Sequence, residues 1–288
     1  MIAIAESGST KCDWALLDEQ GNVVKTFKTL GFNPYFHSTE FVSSTLELCS
    51  DLEGAKGLVS SLYFYGAGCS SPELNAIIQA GLEEVFPRAT VHVDHDLVAA
   101  AYSLYEGEPV ISCIIGTGSN SGFFDGEKVT ELVPALGFIL GDEASGSYFG
   151  KKLLADYFYH RLPSEMHHDF KERYDLKWSD TLNKIYGNQH ANVYLASYMR
   201  FIAEHKKNAY VTEMIREGMA RFIDIHVSNF AEYHKYKVGF VGSIAFLFED
   251  ILREELHKRD CRVGRIIKHP VQNLIEYHIR HKNILTLV

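Results

Sequence analysis

The position of the first glycine-rich turn constrains the fold of this chain more than any other feature. Apolar residues at Ile2–Ala5 predict a strand, and Trp14–Leu17 predicts a second strand after the polar segment Glu6–Lys11. A Rossmann fold has a helix directly after its first strand, with the glycine-rich turn between the two. Here the turn joins two strands, so the sequence predicts a β-hairpin and argues against the Rossmann arrangement.

The same design recurs in the middle of the chain. The β-branched run Val110–Ile115 predicts a strand, followed by the glycine-rich turn Gly116–Ser121 and by strand-forming residues at Phe123-Phe124. Between the two hairpins the pattern alternates strands and helices. The recurrence predicts a duplicated α/β unit. The turn cluster Glu106–Pro109 would divide it into a lobe of residues 1–108 and a lobe of residues 109–288.

Helical spacing of apolar residues predicts that most of the second lobe is helical. A last helix, Val271–Ile279, could pack back on the first lobe. The apolar face of Met214–Tyr233 suits core packing, with a homodimer contact as the alternative. The other predicted elements are the helices Ser145–Tyr159, Tyr194–His205 and Ile244–His257 and the strands Val238–Val241 and Val263–Ile267.

The net charge argues against some classes of partner. The 288 residues carry a net charge of −9, and no segment concentrates lysine and arginine. A nucleic acid or an anionic membrane would require a basic face. The N-terminal segment lacks the regions of a signal peptide, and no run approaches about 18 apolar residues. We therefore expect a cytoplasmic protein without nucleic-acid or membrane partners. A small anionic ligand stays compatible, because backbone amides can bind it.

Both glycine-rich turns have a composition suited to phosphate. Glycine lets the backbone approach an anion closely and adopt positive φ, and Ser and Thr hydroxyls add neutral donors. Each turn alone is equally compatible with a plain tight β-turn. The sequence has no G-x-x-x-x-G-K-[ST] motif, and Gly116-Thr117-Gly118 does not continue as G-x-G-x-x-G, because the next glycine is Gly122. Two such turns at matching places favour one phosphate clamp from each lobe.

Four motifs together resemble a known superfamily. Glu6–Lys11 and Gly116–Asn120 resemble the phosphate-1 and phosphate-2 motifs of the sugar-kinase, actin and heat-shock-chaperone superfamily, and Gly239–Ala245 is similar to its adenosine motif. The segment Gly141–Gly146 further resembles N-acetylglucosamine kinase and the BadF/BadG/BcrA/BcrD ATPase group. The motifs stand in the family's order, so the resemblance covers nearly the whole chain.

The resemblance implies a fold, a reaction and two cofactors. The superfamily has two ribonuclease-H-like (actin-like ATPase) lobes with a nucleotide cleft between them, and its kinases use ATP and Mg²⁺. For this chain it implies phosphorylation of an amino sugar, with N-acetylglucosamine at its 6-hydroxyl as the leading candidate. Glu6 would orient the hydrated Mg²⁺ through water. The residues implied in ATP binding are Glu6, Gly8, Ser9, Thr10, Lys11, Gly116, Thr117, Gly118, Ser119, Asn120, Gly242 and Ser243.

The resemblance also implies a catalytic base. The family has an Asp at the end of a strand, immediately before an alanine-rich helix. Asp94 and Asp96 both lie in such a segment, Val93–Ala101. Asp96 is closer to the helix, and its spacing from the Gly116 turn suits the family better. Asp96 is therefore the expected base and Asp94 the alternative, although either carboxylate could serve only as a helix N-cap.

Sugar contacts follow from the same resemblance. Gly31–Pro34 resembles the loop whose Asn contacts the sugar, Gly66–Gly68 resembles a loop that lines the pocket, and Asp142 matches an acid that binds a sugar hydroxyl. One position departs, since the family kinase has Trp where Leu136 stands. The aromatic platform for a pyranose is thus missing there. The implied substrate-binding residues are Asn33, Gly66, Gly68, Gly137 and Asp142.

A second function is compatible with the same motifs. BadF-type activators are ATPases that switch a partner enzyme, and they bridge two subunits through an iron–sulfur cluster. Cluster ligation needs a compact cysteine motif, which the dispersed cysteines of this chain do not form. A regulatory ATPase without a cluster remains the alternative. The cysteines are Cys12, Cys49, Cys69, Cys113 and Cys261.

Overall fold

The computed structural model describes residues 1–187 and 190–281. The chain divides into two compact units. The first comprises residues 1–105 and 269–281, and the second comprises the described part of residues 106–268. The observed boundary thus falls between residues 105 and 106, whereas the turn cluster predicts one between 108 and 109. The helix Val271–His281 lies in the first unit.

The first unit contains one mixed sheet of five strands. Its strands are β1 (Ile2–Ser7), β2 (Lys11–Leu17), β3 (Val23–Leu30), β4 (Ser61–Gly66) and β5 (Thr90–His95). Its first helices are α1 (Thr39–Glu47), α2 (Pro72–Val85) and α3 (Asp96–Leu104). The strand order is β3-β2-β1-β4-β5, in which β1, β2 and β3 are antiparallel neighbours and β4 and β5 run parallel to β1.

Local signals and one aromatic core explain this unit. Ser38 and Ser71 accept hydrogen bonds from the first turns of α1 and α2, which satisfies amide groups that a helix leaves unpaired. The buried ring of Trp14 stacks on Phe27 with centroids 5.6 Å apart and lies within 6.4 Å of Phe64. Burial of these rings fixes which face of the sheet the helices cover.

The second unit contains a second five-stranded sheet and more helices. Its strands are β6 (Val110–Ile115), β7 (Ser119–Phe124), β8 (Val129–Thr130), β9 (Lys237–Val241) and β10 (Arg262–Ile267). Its helices are α4 (Gly137–Leu140), α5 (Gly146–Phe158), α6 (Ser164–Tyr174), α7 (Trp178–Tyr186), α8 (Ala191–Ala196), α9 (Met199–Glu204), α10 (Ala209–Phe222), α11 (Ser243–Leu247) and α12 (Glu249–His257). The helix Val271–His281 is then α13.

The two sheets share one topology. In the second sheet the order β8-β7-β6-β9-β10 again has three antiparallel neighbours followed by two strands parallel to the central one. The duplicated α/β unit predicted from the sequence is therefore confirmed.

Several predicted helices are shorter or interrupted. Met214–Tyr233 was expected as one helix, but α10 ends at Phe222 and continues as the π-helical segment Ile223–Val227. Ile244–His257 is two helices, separated at Phe248, whose φ of −114° is not helical. The expected helix Tyr194–His205 is likewise divided between α8 and α9. None of the helices in the described part of the chain is long and apolar enough to cross a bilayer.

Candidate functional site

The first candidate site lies at the edge of the first sheet where its parallel strands end. The last residues of three parallel strands, Ser7, Gly66 and His95, are aligned with one another. Because parallel strands end at a common edge, the segments that follow them meet there, and this edge is the usual ligand position in α/β sheets. The turn after β1, the loop after β4 and Asp96 at the start of α3 are therefore neighbours.

The turn between β1 and β2 is closed by a hydrogen bond from Gly8 N to Lys11 O of 3.0 Å. A Cβ added to Gly8 would meet only Lys11 O, at 3.8 Å, so the outer surface of the turn is open. On its inner side Gly31 packs so closely that a Cβ there would lie 2.1 Å from Gly8 O. We expected a positive φ at the turn glycine, but Gly8 has a negative φ. The glycine provides space rather than a left-handed backbone.

Ser7 connects the neighbouring loops to this turn. Its Oγ accepts a hydrogen bond from Phe32 N at 2.8 Å, and its carbonyl oxygen accepts one from Ala67 N at 2.8 Å. These bonds hold the Asn33 loop and the Gly66–Gly68 loop side by side. Gly68 has a φ of +82°, and a Cβ on it would lie 2.5 Å from Asn33 Oδ1. Only glycine fits at this contact.

Asn33 is oriented by its own loop. The residue is 8% exposed, and its Oδ1 accepts a hydrogen bond from Tyr35 N at 3.0 Å. Among the described residues, its Nδ2 makes no hydrogen bond. The fixed oxygen leaves the amide nitrogen as a donor for a ligand.

Carboxylates gather beside the first turn. Glu6 is half-buried, and burial together with the charges of Asp96 and Asp13 raises its pKa to about 8. Lys11 opposes this shift, but its Nζ lies 2.7 Å from Asp13 Oδ2 and is paired there. Burial alone would raise the pKa of Asp13, yet Lys11 and Lys28 hold it below its ordinary value. Three carboxyl groups, those of Glu6, Asp13 and Asp96, thus gather beside the first turn.

Asp96 and Asp94 differ in their surroundings. Asp96 is the first residue of α3, its side chain is 18% exposed, and its Oδ1 lies 3.1 Å from His95 Nε2. The N-cap residue of α3 is His95, so Asp96 is not the N-cap carboxylate. Asp94 is exposed and accepts a hydrogen bond from His95 N at 2.9 Å. Of these two aspartates, only Asp96 raises the pKa of Glu6.

The second candidate site is the hairpin between β6 and β7. Gly116 N donates to Gly118 O at 2.9 Å. The first amides of α5 hold the turn from behind, since Gly146 N donates to Gly116 O and Ser147 N to Thr117 O, at 2.8 and 3.1 Å. A Cβ on Gly116 would meet no atom within 4 Å. Positive φ is again not found at Gly116 or Gly118, contrary to expectation.

Asp142 packs directly against this hairpin. Its Oδ1 accepts a hydrogen bond from Ser119 N at 3.1 Å, and its Oδ2 accepts one from Ser147 Oγ at 3.4 Å. A Cβ on Gly118 would lie 3.0 Å from the same carboxylate. Burial raises the pKa of Asp142, although the bonds from Ser119 and Ser147 counteract it. The carboxylate expected to contact a sugar is therefore engaged with the hairpin.

Two polar side chains of β7 complete the hairpin. Asn120 Oδ1 accepts a hydrogen bond from Ser121 N at 2.8 Å, and its Nδ2 lies 3.4 Å from Glu131 Oε2. Ser119 Oγ is buried and has no hydrogen-bond partner among the described residues. Such an orphaned hydroxyl is uncommon, because an unsatisfied buried polar group costs about 1–3 kcal/mol.

Gly242 brings the third motif against the second hairpin. It follows β9 with a φ of +131°, and a Cβ on it would lie 2.2 Å from Ile115 O. Ser243 then begins α11. The adenosine-like motif thus contacts the phosphate-2-like hairpin within the second unit.

Gly137 and Leu136 lie beside the residue that precedes Asp142, since Gly137 O accepts a hydrogen bond from Gly141 N at 2.8 Å and a Cβ on Gly141 would lie 3.1 Å from Leu136 Cβ. Gly137 has a φ of +68°, and a Cβ on it would meet nothing within 4 Å. Leu136 is 55% exposed.

The described residues gather in two groups. The first unit brings together Glu6, the Gly8–Lys11 turn, Asn33, Gly66, Gly68 and Asp96, and the second brings together Gly116–Asn120, Asp142, Gly242 and Ser243. Sequence reasoning missed Ser7, Gly31 and Ser147, which hold the turns. Of these, Gly31 had a signal, because it opens the loop that also contains Asn33.

The residues present fit ATP and Mg²⁺. The open surfaces at Gly8 and Gly116 and the orphaned Ser119 hydroxyl suit phosphate groups. Burial and the nearby carboxylates of Asp96 and Asp13 raise the pKa of Glu6, and a divalent cation bound there would favour its ionised form. No cluster of three or more His, Cys, Asp or Glu side chains able to hold a metal occurs in residues 1–187 and 190–281. Mg²⁺ would accordingly take most of its ligands from phosphate and water.

Solved structures resemble this chain along its whole length. The “putative N-acetylglucosamine kinase” of Porphyromonas gingivalis is 30% identical, with a TM-score of 0.92, over 98% of this chain and 100% of that one. The “putative N-acetylglucosamine kinase” of Chromobacterium violaceum is 14% identical with a TM-score of 0.70, over 96% and 98%. A ROK family glucokinase of Streptomyces griseus, solved with glucose and AMPPNP, is 16% identical with a TM-score of 0.59, over 98% and 99%. No protein-family model and no curated protein sequence matches the chain.

The paired sheets and these neighbours confirm the duplicated ribonuclease-H-like fold of the actin-like ATPases. The 30% identity over the full length of the Porphyromonas protein identifies the family more narrowly. The chain belongs to the sugar kinases.

Proposed function

We propose that this protein transfers the γ-phosphoryl group of ATP to an amino sugar, N-acetylglucosamine at its 6-hydroxyl being the leading candidate. The observation that carries the proposal is the group of acidic and glycine-rich segments at one edge of the first sheet, where Asp96 influences the pKa of Glu6. The full-length similarity to the Porphyromonas protein supports the same substrate class.

Asp96 is the proposed base. The sugar hydroxyl oxygen attacks the γ-phosphorus, the bond from that phosphorus to the bridging oxygen breaks, ADP leaves, and the hydroxyl proton passes to the Asp96 carboxylate. His95 Nε2, 3.1 Å from Asp96 Oδ1, would help to hold the carboxylate in place. The exposed position of Asp94 suits this role less well.

The glycine-rich turns are the proposed phosphate ligands. In the first turn, Gly8, Ser9, Thr10 and Lys11 would offer backbone amides, and Gly116–Asn120 would do so in the second. Mg²⁺, when bound, neutralises charge on the phosphates, and Glu6 would hold it through water. Gly242 and Ser243 would lie against the adenosine, since the start of α11 follows directly.

Asn33 is the proposed sugar ligand best supported by geometry. Its Oδ1 is fixed by Tyr35 N, and its Nδ2 can donate to a hydroxyl or acyl oxygen. Gly66 and Gly68 would line the same pocket. Sugar contacts from Gly137 and Asp142 stay predictions, and Asp142 would additionally orient the second hairpin. With Leu136 in place of the platform Trp, we expect broader sugar selectivity.

The test combines calorimetry and turnover. N-acetylglucosamine, glucosamine, glucose and N-acetylmuramic acid are titrated in the presence of AMPPNP, and ATP turnover is measured with each sugar. N-acetylglucosamine should bind most tightly and yield a phosphorylated sugar. Its 6-deoxy analogue should bind without being phosphorylated, because it lacks the accepting hydroxyl.

Negligible heats for all four sugars would remove the amino-sugar assignment. ADP formation that is independent of sugar, without any sugar phosphate, would favour the regulatory ATPase of the BadF/BadG/BcrA/BcrD group. Phosphorylation of the 6-deoxy analogue would place the accepting hydroxyl elsewhere on the ring.

A further inference from the structure

We propose that Glu143 and His226 are positioning residues that hold the second hairpin in its phosphate-binding conformation. They act through Ser121 of β7, and we refer to these three residues as the Glu143–His226–Ser121 network. The inference rests on the proposed function, because the hairpin is the proposed ATP ligand.

Two consecutive carboxylates support alternate residues of one strand. Successive side chains of a strand point to opposite faces, so Ser119 and Ser121 lie on the same face of β7. Asp142 accepts the N–H of Ser119 at 3.1 Å. Glu143, the next residue, reaches Ser121 through the ring of His226. The Asp142-Glu143 pair thereby supports β7 at Ser119 and at Ser121, directly after the Gly116–Gly118 turn.

The distances connect the network without a gap. Glu143 Oε2 lies 3.4 Å from His226 Nε2, and His226 Nδ1 lies 3.3 Å from Ser121 Oγ. Ser121 Oγ donates its single proton to the His226 carbonyl oxygen at 3.0 Å, so it is left to accept from His226 Nδ1. Glu143, His226 and Ser121 are 7%, 3% and 0% exposed. At this degree of burial water cannot replace a lost partner, so the loss of one contact leaves the other group unsatisfied.

The backbone around His226 is adapted to this contact. α10 changes to a π-helical segment at Ile223–Val227, which contains His226. π-helical turns interrupt regular helices and are frequently found at functional sites. The ring of His226 stacks on Phe222 with centroids 4.6 Å apart. Packing therefore fixes the ring plane, and the two ring nitrogens are left to connect Glu143 with Ser121.

The other oxygen of Glu143 faces a different environment. Arg221 Nε lies 3.7 Å from Glu143 Oε1, and the Arg221 side chain is 61% exposed. An exposed ion pair of this kind contributes about 0–1 kcal/mol. Arg221 therefore offers a matched control, because its replacement removes a charge near Glu143 but leaves the buried contacts.

The experiment compares three variants by calorimetry and steady-state kinetics. Glu143→Gln removes the charge at constant size, and His226→Phe keeps the stacking on Phe222 but removes both ring nitrogens. We expect each to weaken AMPPNP binding about tenfold, with the KM for sugar unchanged within about twofold. Arg221→Gln should leave both constants within about twofold of wild type. An equal increase in the AMPPNP dissociation constant and in the sugar KM, or unchanged AMPPNP affinity in folded variants, would overturn the proposal.

A second measurement needs no nucleotide and separates this inference from the proposed function. Amide hydrogen exchange of residues 116–121 should become about tenfold faster in Glu143→Gln and His226→Phe, while exchange of residues 7–11 stays the same. Ser121→Ala, a smaller change that keeps the core packed, should have the same effect. Unchanged exchange in all three variants refutes the network. If wild type fails to bind AMPPNP, the ATP assignment fails on its own.

Discussion

The two glycine-rich hairpins have the same place in two sheets of the same topology, yet they are supported by different chemistry. Neutral groups hold the first hairpin from behind, namely Ser7 and the backbone of Gly31. The second hairpin is held by neutral backbone amides of α5 and, in addition, by a carboxylate, since Asp142 accepts a hydrogen bond from Ser119 N. The charged groups of the first hairpin instead lie beside the proposed chemistry, at Glu6 and Asp96. The two hairpins therefore share one place in the topology, whereas under the proposed function only the first has the catalytic base beside it.

The largest expected effect tests whether chemistry is confined to the first hairpin. Asp96→Asn should lower kcat by about 10²–10⁴-fold, because the proton acceptor is lost. AMPPNP binding should persist, since both turns are unchanged. Asp94→Asn is the matched control, and we expect its kcat within about threefold of wild type because Asp94 is exposed. The reverse pattern, with Asp94→Asn inactive and Asp96→Asn active, would exchange the two assignments.

The next effect tests the glycines on which each hairpin rests. Gly31→Ala would place a Cβ 2.1 Å from Gly8 O, and Gly242→Ala would place one 2.2 Å from Ile115 O. Overpacking should lower the unfolding free energy of Gly31→Ala by about 1–3 kcal/mol. Gly242 has a φ of +131°, so Gly242→Ala should cost about 1 kcal/mol more. Urea denaturation measures both.

The two tryptophans allow each unit to be followed separately. Trp14 is buried in the first unit and Trp178 is exposed in the second, so Trp178→Phe leaves Trp14 to report the first unit, and the difference from the two-tryptophan signal reports the second. Gly57→Ala is the control, because a Cβ there meets nothing within 4 Å, and its stability should stay within about 1 kcal/mol. If Gly31→Ala proves as stable as Gly57→Ala, the close contact with Gly8 does not hold the first hairpin.

A smaller effect follows from the charge around the first hairpin. Folded Glu6 has a pKa of about 8, against an ordinary value of 4.5 for glutamate. Between these values the folded state binds a proton that the unfolded chain has lost. Glu6 therefore lowers stability progressively as pH rises through this window, and the penalty is absent below it. Glu6→Gln should gain about 2 kcal/mol of unfolding free energy relative to wild type between pH 5 and 8, measured without metal or nucleotide.

The control for this pH series is Glu53→Gln, which changes an exposed Glu of the same unit. Its stability difference from wild type should not vary with pH. A constant difference for Glu6→Gln would mean that Glu6 is ionised in the folded protein at neutral pH.

The smallest effect tests whether each glycine of the second hairpin leaves space for phosphate or packs against Asp142. Gly116→Ala adds a methyl group where no atom lies within 4 Å, so stability should change by less than about 0.5 kcal/mol. AMPPNP affinity should fall about threefold to tenfold if the methyl group occupies phosphate space. Gly118→Ala instead approaches the Asp142 carboxylate at 3.0 Å, and it should lower stability as well as affinity. Unchanged affinity in Gly116→Ala would make this segment only a turn.

The sheets could be predicted from the sequence because strand alternation and glycine-rich turns are local signals. The end of α10 could not, because the π-helical turn at Ile223–Val227 accompanies a contact between His226 and Ser121, far apart in the chain. The spacing of apolar residues does not report a contact between distant segments. The break at Phe248 was missed for a similar reason, since apolar spacing continues through it.

The site could be predicted as far as its motifs extend. The turns and Asp96 have recognisable sequence patterns, but the residues that pack behind the turns do not. Gly31 and Gly242 are needed because of backbone atoms that approach them from distant segments. Positive φ was expected at the turn glycines and occurs instead at Gly68, Gly137 and Gly242. A glycine in a sequence does not reveal whether it provides space or a left-handed conformation.

The placement of α13 has a consequence for how the molecule is made. Its Tyr277 stacks on Tyr102 of α3 with centroids 4.1 Å apart, and its His278 Nε2 lies 2.8 Å from Tyr65 Oη of β4. The first unit therefore covers α3 and β4 with residues that leave the ribosome after the entire second unit. The second unit is continuous, so it can finish folding during synthesis. The half of the protein that is translated first becomes complete last, and until then nascent chains expose the apolar surface that α13 will cover.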